Sequence, residues 1–148
     1  MHSINLILTK SLKNDLSQIS KSRYPEESCA ALFGTITVET QRIFKINIAI
    51  ELRNIVHSPT EFRIDELELY HHCVSQSKEN FSLLGIFHSH PNDAYISQYD
   101  RTTIINVGIL YPDLIWVVFG NRSNKFKAFH LENAKKIKEI SIPTNLSP

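Results

Sequence analysis

The stretch Phe81-Ser82-Leu83-Leu84-Gly85-Ile86-Phe87-His88-Ser89-His90-Pro91-Asn92-Asp93-Ala94-Tyr95-Ile96-Ser97-Gln98-Tyr99-Asp100 decides how this chain is read. The apolar run at its start fits a buried strand over residues 82–88. It ends in two histidines at positions i and i+2. Side chains alternate across a strand, so His88 and His90 point to one side and both imidazoles can reach one ion. Ser97 then stands where a helix N-cap is expected, with Asp100 in the first turn. A catalytic zinc usually takes three protein ligands and keeps one position for water. Asp100 is the candidate third ligand, because a capped helix aims it back toward the strand end. Asp93, nearer in sequence and in the loop after Pro91, is the rival. Each piece also has a plainer reading: His-x-His pairs occur on strands without a metal, and Ser97-x-x-Asp100 is a capping box with Asp in place of Glu.

Upstream, Asp65 is placed to cap a helix running to about Ser77, with Leu67, Tyr70, His71 and Val74 on one face. Residues 53–62 read as a connection, broken at Ser58-Pro59. The apolar run of residues 28–38 is expected as a buried strand. Residues 42–50 alternate and can pair with it across a turn at Glu39-Thr40-Gln41. Ile4, Leu6 and Leu8 alternate as a short first strand. Thr9 or Ser11 caps a helix with Leu12, Leu16 and Ile19 at helical spacing, which Pro25 stops after Tyr24.

Downstream, the helix begun at Ser97 is expected to end near Gly108. Residues 114–119 are continuously apolar, as in a central strand, and residues 126–131 form a further strand after the turn Asn121-Arg122-Ser123-Asn124. Residues 136–142 suit either an edge strand or a short helix, and residues 143–148 are expected to fray. Strands alternate with about three helices, yet several neighbours are joined by tight turns. The expected fold class is therefore a single mixed α/β domain rather than a doubly wound parallel sheet.

The length of 148 residues suits one domain. At this size a chain buries about 70% of its unfolded surface and needs no staples. A formal net charge of +1 gives no broad electrostatic case for nucleic acid or an anionic membrane. Two cysteines, Cys29 and Cys73, make no disulfide framework and are expected as reduced thiols. The N-terminus lacks the basic and apolar regions of a signal peptide, and no segment approaches a membrane span of about 18 apolar residues. A cytoplasmic location is expected.

A metal hydrolase also needs a base for its water. No His-Glu-x-x-His helix is present, so the base must come from elsewhere. Glu26 and Glu27 stand just before the apolar run Cys29-Ala30-Ala31-Leu32-Phe33-Gly34, at the mouth of a buried strand. The plainer reading is a charged helix-to-strand turn. His71 and His72 read as one packed and one exposed helix residue, and His2, His57 and His130 as isolated surface or packing residues.

Taken together, these segments resemble the JAMM (MPN-plus) metalloprotease family. That family's signature is a glutamate ahead of a small-residue strand, then His-Ser/Thr-His, then Ser-x-x-Asp. Pro25-Glu26-Glu27-Ser28-Cys29-Ala30-Ala31 matches the first part, and position before the small residue and cysteine selects Glu27. His88-Ser89-His90 and Ser97-Gln98-Tyr99-Asp100 match the rest. The segment Asn54, Ser58-Pro59 and Phe62-Arg63-Ile64-Asp65 also resembles the family. Two departures stand out. The loop between His90 and Ser97 has six residues, one fewer than the common form, and Ile96 replaces a frequent proline.

The resemblance implies a JAMM/MPN-like domain over residues 1–132, with a curved mixed sheet flanked by about three helices and a C-terminal extension over residues 133–148. It implies one Zn2+ held by His88, His90 and Asp100, Glu27 as general base toward a metal-activated water, and Ser97 as oxyanion donor. It implies an isopeptidase or peptidase that cuts after the C-terminal glycine of ubiquitin or a ubiquitin-like protein. The substrate's extended tail is expected as an added strand near residues 53–62. The alternatives within the resemblance are a peptidase trimming a sulfur-carrier precursor and a non-catalytic MPN-type scaffold.

Overall fold

Residues 3–143 are described by a computed structural model. The chain runs β1 (Ile4–Ile7), α1 (Lys10–Arg23), β2 (Cys29–Val38), β3 (Arg42–Leu52), α2 (Glu66–Ser77), β4 (Ser82–His90), α3 (Gln98–Leu110), β5 (Ile115–Gly120), β6 (Lys125–Asn133) and β7 (Lys136–Ile140). The strands form a curled sheet in the order β1-β3-β2-β4-β5-β6-β7. The pairs β1–β3 and β4–β5 are parallel and the others antiparallel. This is the expected mixed α/β fold with three helices among the described residues. None of them is long and apolar enough to cross a membrane.

Each sheet face carries its own core. On one face Leu6, Leu8, Leu32, Phe44, Phe87 and Phe119 pack against Leu12 and Leu16 of α1. On the other, Ala31, Phe33, Ile86 and Trp116 pack against Ile104 of α3. Both faces of the central strands are thus buried, which is why β5 reads as an unbroken apolar run.

The helix starts follow the capping residues. The Thr9 side chain accepts from the Leu12 amide, and Asp65 accepts from the amides of Leu67 and Glu68. Three expectations need correction. Leu67, Tyr70, His71 and Val74 of α2 face solvent, and the helix leans on Leu69 and Cys73 instead. Gly108 does not end α3, which continues to Leu110; it is a packing glycine whose added Cβ would lie 2.8 Å from Leu131 Cδ2. β4 extends through His90, so both histidines belong to the strand. Of the two readings open for residues 136–142, the strand is the one formed. The fraying expected for residues 144–148, and the reading of His2, lie outside the described residues.

Candidate metal centre

The centre is built at the ends of β2 and β4. In their antiparallel register Cys29 lies opposite His88, and the Ser89 amide donates to the Ser28 carbonyl at 3.0 Å. Continuing that register sets Glu27 opposite His90. Alternation then sends Glu27, His88 and His90 to the α3 face and Ser28 and Ser89 to the reverse face. There the two serine hydroxyls lie 2.8 Å apart, and Ser89 Oγ also accepts from the Ser28 amide at 3.0 Å. This buried pair fixes the glutamate-bearing strand end against the histidine-bearing one. Nothing in the hydrophobic pattern flags it; the register alone reveals it.

Asp100 arrives from the first turn of α3. Ser97 Oγ accepts from the Asp100 amide at 3.1 Å, and Asp100 Oδ2 accepts from the Ser97 amide at 3.0 Å. The capping box and the ligand reading are therefore the same geometry. The same Oδ2 lies 2.9 Å from His90 Nε2 and 3.2 Å from His88 Nε2. Glu27 Oε2 lies 3.1 Å from His90 Nδ1. One potential donor atom from each of Glu27, His88, His90 and Asp100 falls within 4.8 Å of the others. The rival Asp93 is not in this group; its carboxylate caps the Ala94 amide in the exposed part of the loop. Glu26 also turns away, with its carboxylate 3.7 Å from His57 Nδ1.

All four clustered residues are at most 2% exposed. Buried polar atoms cost free energy unless they are paired or bind a metal. Here both carboxylate oxygens of Glu27, both ring nitrogens of His88 and Asp100 Oδ1 have no hydrogen-bond partner. The close approach of His88 to Asp100 is thus an ion-pair distance without hydrogen-bond geometry. Two imidazoles and carboxylate oxygens are a donor set suited to zinc and other borderline divalent ions. The residues fit a metal.

The electrostatics follow from crowding. Burial alone would lower the His90 pKa, but the carboxylates of Asp100 and Glu27 outweigh it and hold the imidazole up at about 9. Burial alone would raise Asp100, but His88, His90 and the Ser97 amide hold it well below the usual carboxylate range. Burial, reinforced by Glu68, Glu51 and Glu27, pushes the Cys29 thiol up to about 12. Cys29 is a packing residue whose Sγ lies 3.6 Å from the Leu52 and Arg53 carbonyl oxygens.

Aromatic rings fix the imidazoles. Phe62 stacks on His88 with centroids 4.5 Å apart, and Tyr95 stacks on His90 at 4.6 Å. Neither contact is visible in the sequence, since both come from loops. His71 and His72 of α2 take no part in the cluster.

The sequence profile of the family described as prokaryotic homologs of the JAB domain matches residues 9–132. A desampylase of Pyrococcus furiosus is 29% identical over 122 residues, spanning 78% of this chain and 74% of that protein. The solution structure of a Desulfitobacterium hafniense protein superposes with a TM-score of 0.77 at 23% identity, covering 95% of this chain and 91% of that one. A Salinibacter ruber protein superposes at 0.65 with 20% identity, covering 97% and 94%. Both structural likenesses concern the fold.

Proposed function

The chain belongs to the prokaryotic JAB-domain group of the JAMM/MPN family and is a JAMM-type hydrolase, and from its site we propose a zinc-dependent isopeptidase or peptidase that cuts after the C-terminal glycine of a ubiquitin-like protein. The observation that carries this reading is the meeting of Glu27 with His88, His90 and Asp100 from three separate segments of the chain. The similarity to a protein named a desampylase supports the substrate class.

His88, His90 and Asp100 hold the ion in this reading. Bound zinc supplies Lewis acidity, polarising the scissile carbonyl and lowering the pKa of water toward 7. Glu27, with both oxygens unpartnered, takes the proton from the attacking water and delivers it to the leaving amine. Ser97 accepts from the Asp100 amide through a lone pair, so its own hydroxyl hydrogen stays available to the oxyanion of the tetrahedral intermediate. β1 pairs only with residues 42–45 of β3. Residues 46–52 therefore have no strand partner on that side among the described residues, and an extended tail added there would be led toward Glu27.

The test uses the organism's own Gly-Gly-ending ubiquitin-like proteins, each as a lysine conjugate and as a linear fusion. Chelator-sensitive cleavage is expected, and Glu27→Ala should retain zinc while losing about 10²- to 10⁴-fold in rate. Cleavage of the linear fusion alone would favour precursor trimming. Cleavage by Glu27→Ala at the wild-type rate would remove Glu27 as base.

A further inference from the structure

We propose that Asn54 is the positioning residue for Glu27: its direct bond is to the backbone of the base, not to a metal ligand. The inference rests on the role given to Glu27 above. Asn54 follows the end of β3 and is 8% exposed. Its side chain satisfies four backbone groups. Nδ2 donates to the carbonyls of Glu27 and Glu61, each at 2.9 Å. Oδ1 accepts from the amides of Val56 at 3.3 Å and Arg63 at 3.0 Å. A primary amide offers two donors and one oxygen with two lone pairs, so all of its capacity is used.

Three of these bonds close residues 54–63 into a loop, and the fourth ties that loop to Glu27. The Glu27 amide in turn donates to the Ser58 carbonyl of the same loop at 2.7 Å. Both peptide groups flanking the Glu27 side chain are therefore held by one loop that Asn54 organises. Glu27 needs such a hold. Its residue precedes the first residue of β2, and its carboxylate oxygens have no hydrogen-bond partner of their own. The candidate ligands have backbone anchors of their own, His88 and His90 in β4 and Asp100 in the α3 capping box, and the loop meets them only where the Phe62 ring stacks on His88. None of them bonds to Asn54. Asn54 touches no reacting atom in this account and acts through the backbone of Glu27.

Neither aspartate nor serine fits all four partners. Aspartate keeps the shape and Oδ1 but turns two donations into oxygen–oxygen repulsion. Serine retains one hydroxyl and reaches fewer partners. Loosening a general base by about an ångström is expected to cost roughly 10- to 100-fold in rate.

The experiment compares wild type with N54A, N54D and N54S, using E27Q as the reference for loss of the base. Three quantities are read: zinc affinity by chelator competition, amide hydrogen exchange of the metal-free protein, and kcat and KM on whichever conjugate wild type cleaves. The expected result is zinc affinity within about threefold of wild type. Exchange at Glu27 and residues 55–63 should quicken at least tenfold, with β4 and α3 unchanged. kcat should fall about 10- to 100-fold with KM within threefold, least in N54S. Faster exchange with unchanged kcat would make the loop merely structural and overturn the proposal. Zinc affinity falling in step with kcat would show action through the ligands and overturn it too. If all three variants fail to fold, Asn54 belongs to folding and the assignment falls. Failure of the enzymatic reading is separate: wild type then cleaves nothing, or E27Q cleaves normally, while the exchange and zinc measurements still judge whether Asn54 holds Glu27.

Discussion

His90 sits between two carboxylates, with Asp100 Oδ2 at 2.9 Å on Nε2 and Glu27 Oε2 at 3.1 Å on Nδ1. Its folded pKa of about 9 lies above the ordinary histidine value of about 6.5. The resulting stabilisation is full below about pH 6.5 and is lost as pH rises through 9. Asp100 works in the opposite sense. Its depressed pKa gives stability that is present above about pH 4 and is lost on stronger acidification. Chelator-treated protein should therefore melt highest between about pH 4 and 6.5, and its Tm should fall toward pH 9. His90→Gln should flatten the alkaline part of that slope. A zinc ion held by His90 would have to displace its proton, so stabilisation by zinc should grow over the same range. Melting across pH with and without zinc checks both signs, and a metal-free Tm that rises from pH 6.5 to 9 would contradict them. Cys29 sits beside this centre, yet its raised pKa makes it a poor nucleophile. Iodoacetamide at pH 8 should label the half-buried Cys73 while sparing Cys29, read by mass spectrometry.

At the scale of elements, the loop between His90 and α3 is one residue short of the common form, yet it delivers Asp100. It does so by lying directly on the end of β5. Gly120 pairs with His90, and a Cβ on Gly120 would lie 2.5 Å from the Ala94 amide nitrogen and from the Asp93 carbonyl carbon. Backbone cannot yield as a side-chain tip can. The Asn121 amide also donates to the His90 carbonyl, and the Arg122 amide to that of Asn92. Gly120→Ala should thus cost about 1–3 kcal/mol by overpacking and weaken zinc binding, because the displaced loop carries α3 with it. Gly108→Ala meets only the side chain of Leu131 and should leave zinc affinity unchanged. Denaturant melts and chelator competition on both variants separate the two effects.

The elements also mark where the sequence was informative. His88 and His90 could be assigned to one side because strand alternation is rigid, and Asp100 because Ser97 is a strong cap. Helix α2 buries the opposite side to the one its sequence suggests, because two apolar stripes run along it. Leu67, Tyr70 and Val74 make one, Leu69 and Cys73 the other, and only the second meets the sheet. Helical period identifies the helix but not which of two stripes faces inward. The stacking of Phe62 and Tyr95 on the imidazoles and the Ser28–Ser89 pair arise from contacts between elements, so no local pattern carries them. Leu67, 63% exposed, should tolerate Leu67→Lys within about 0.5 kcal/mol. Leu69→Ala should cost about 1–3 kcal/mol. Equal costs in denaturant melts would place the wrong stripe inward.

At the scale of the whole molecule, the four clustered residues come from the segment before β2, from β4 and from α3. Glu27 and His88 lie 61 positions apart in sequence, so the cluster forms only when β2, β4 and α3 are packed together. An ion bound there belongs to the native state alone and must stabilise it globally. At a free zinc concentration of about 100 times Kd, the gain is roughly 2.7 kcal/mol. For a domain of this size that corresponds to a Tm rise of about 5–10 °C. The rise should vanish in His88→Ala and in Asp100→Ala, each of which removes a candidate ligand. It should persist in Glu27→Gln, whose side chain is assigned to proton transfer rather than to holding the ion. Scanning calorimetry of the three variants with and without zinc distinguishes these cases. A lost zinc response in Glu27→Gln would make Glu27 a fourth ligand and leave the reaction without its base. A persistent response in Asp100→Ala would instead return the third position to another group, since Asp100 is the only α3 residue in the cluster among the described residues.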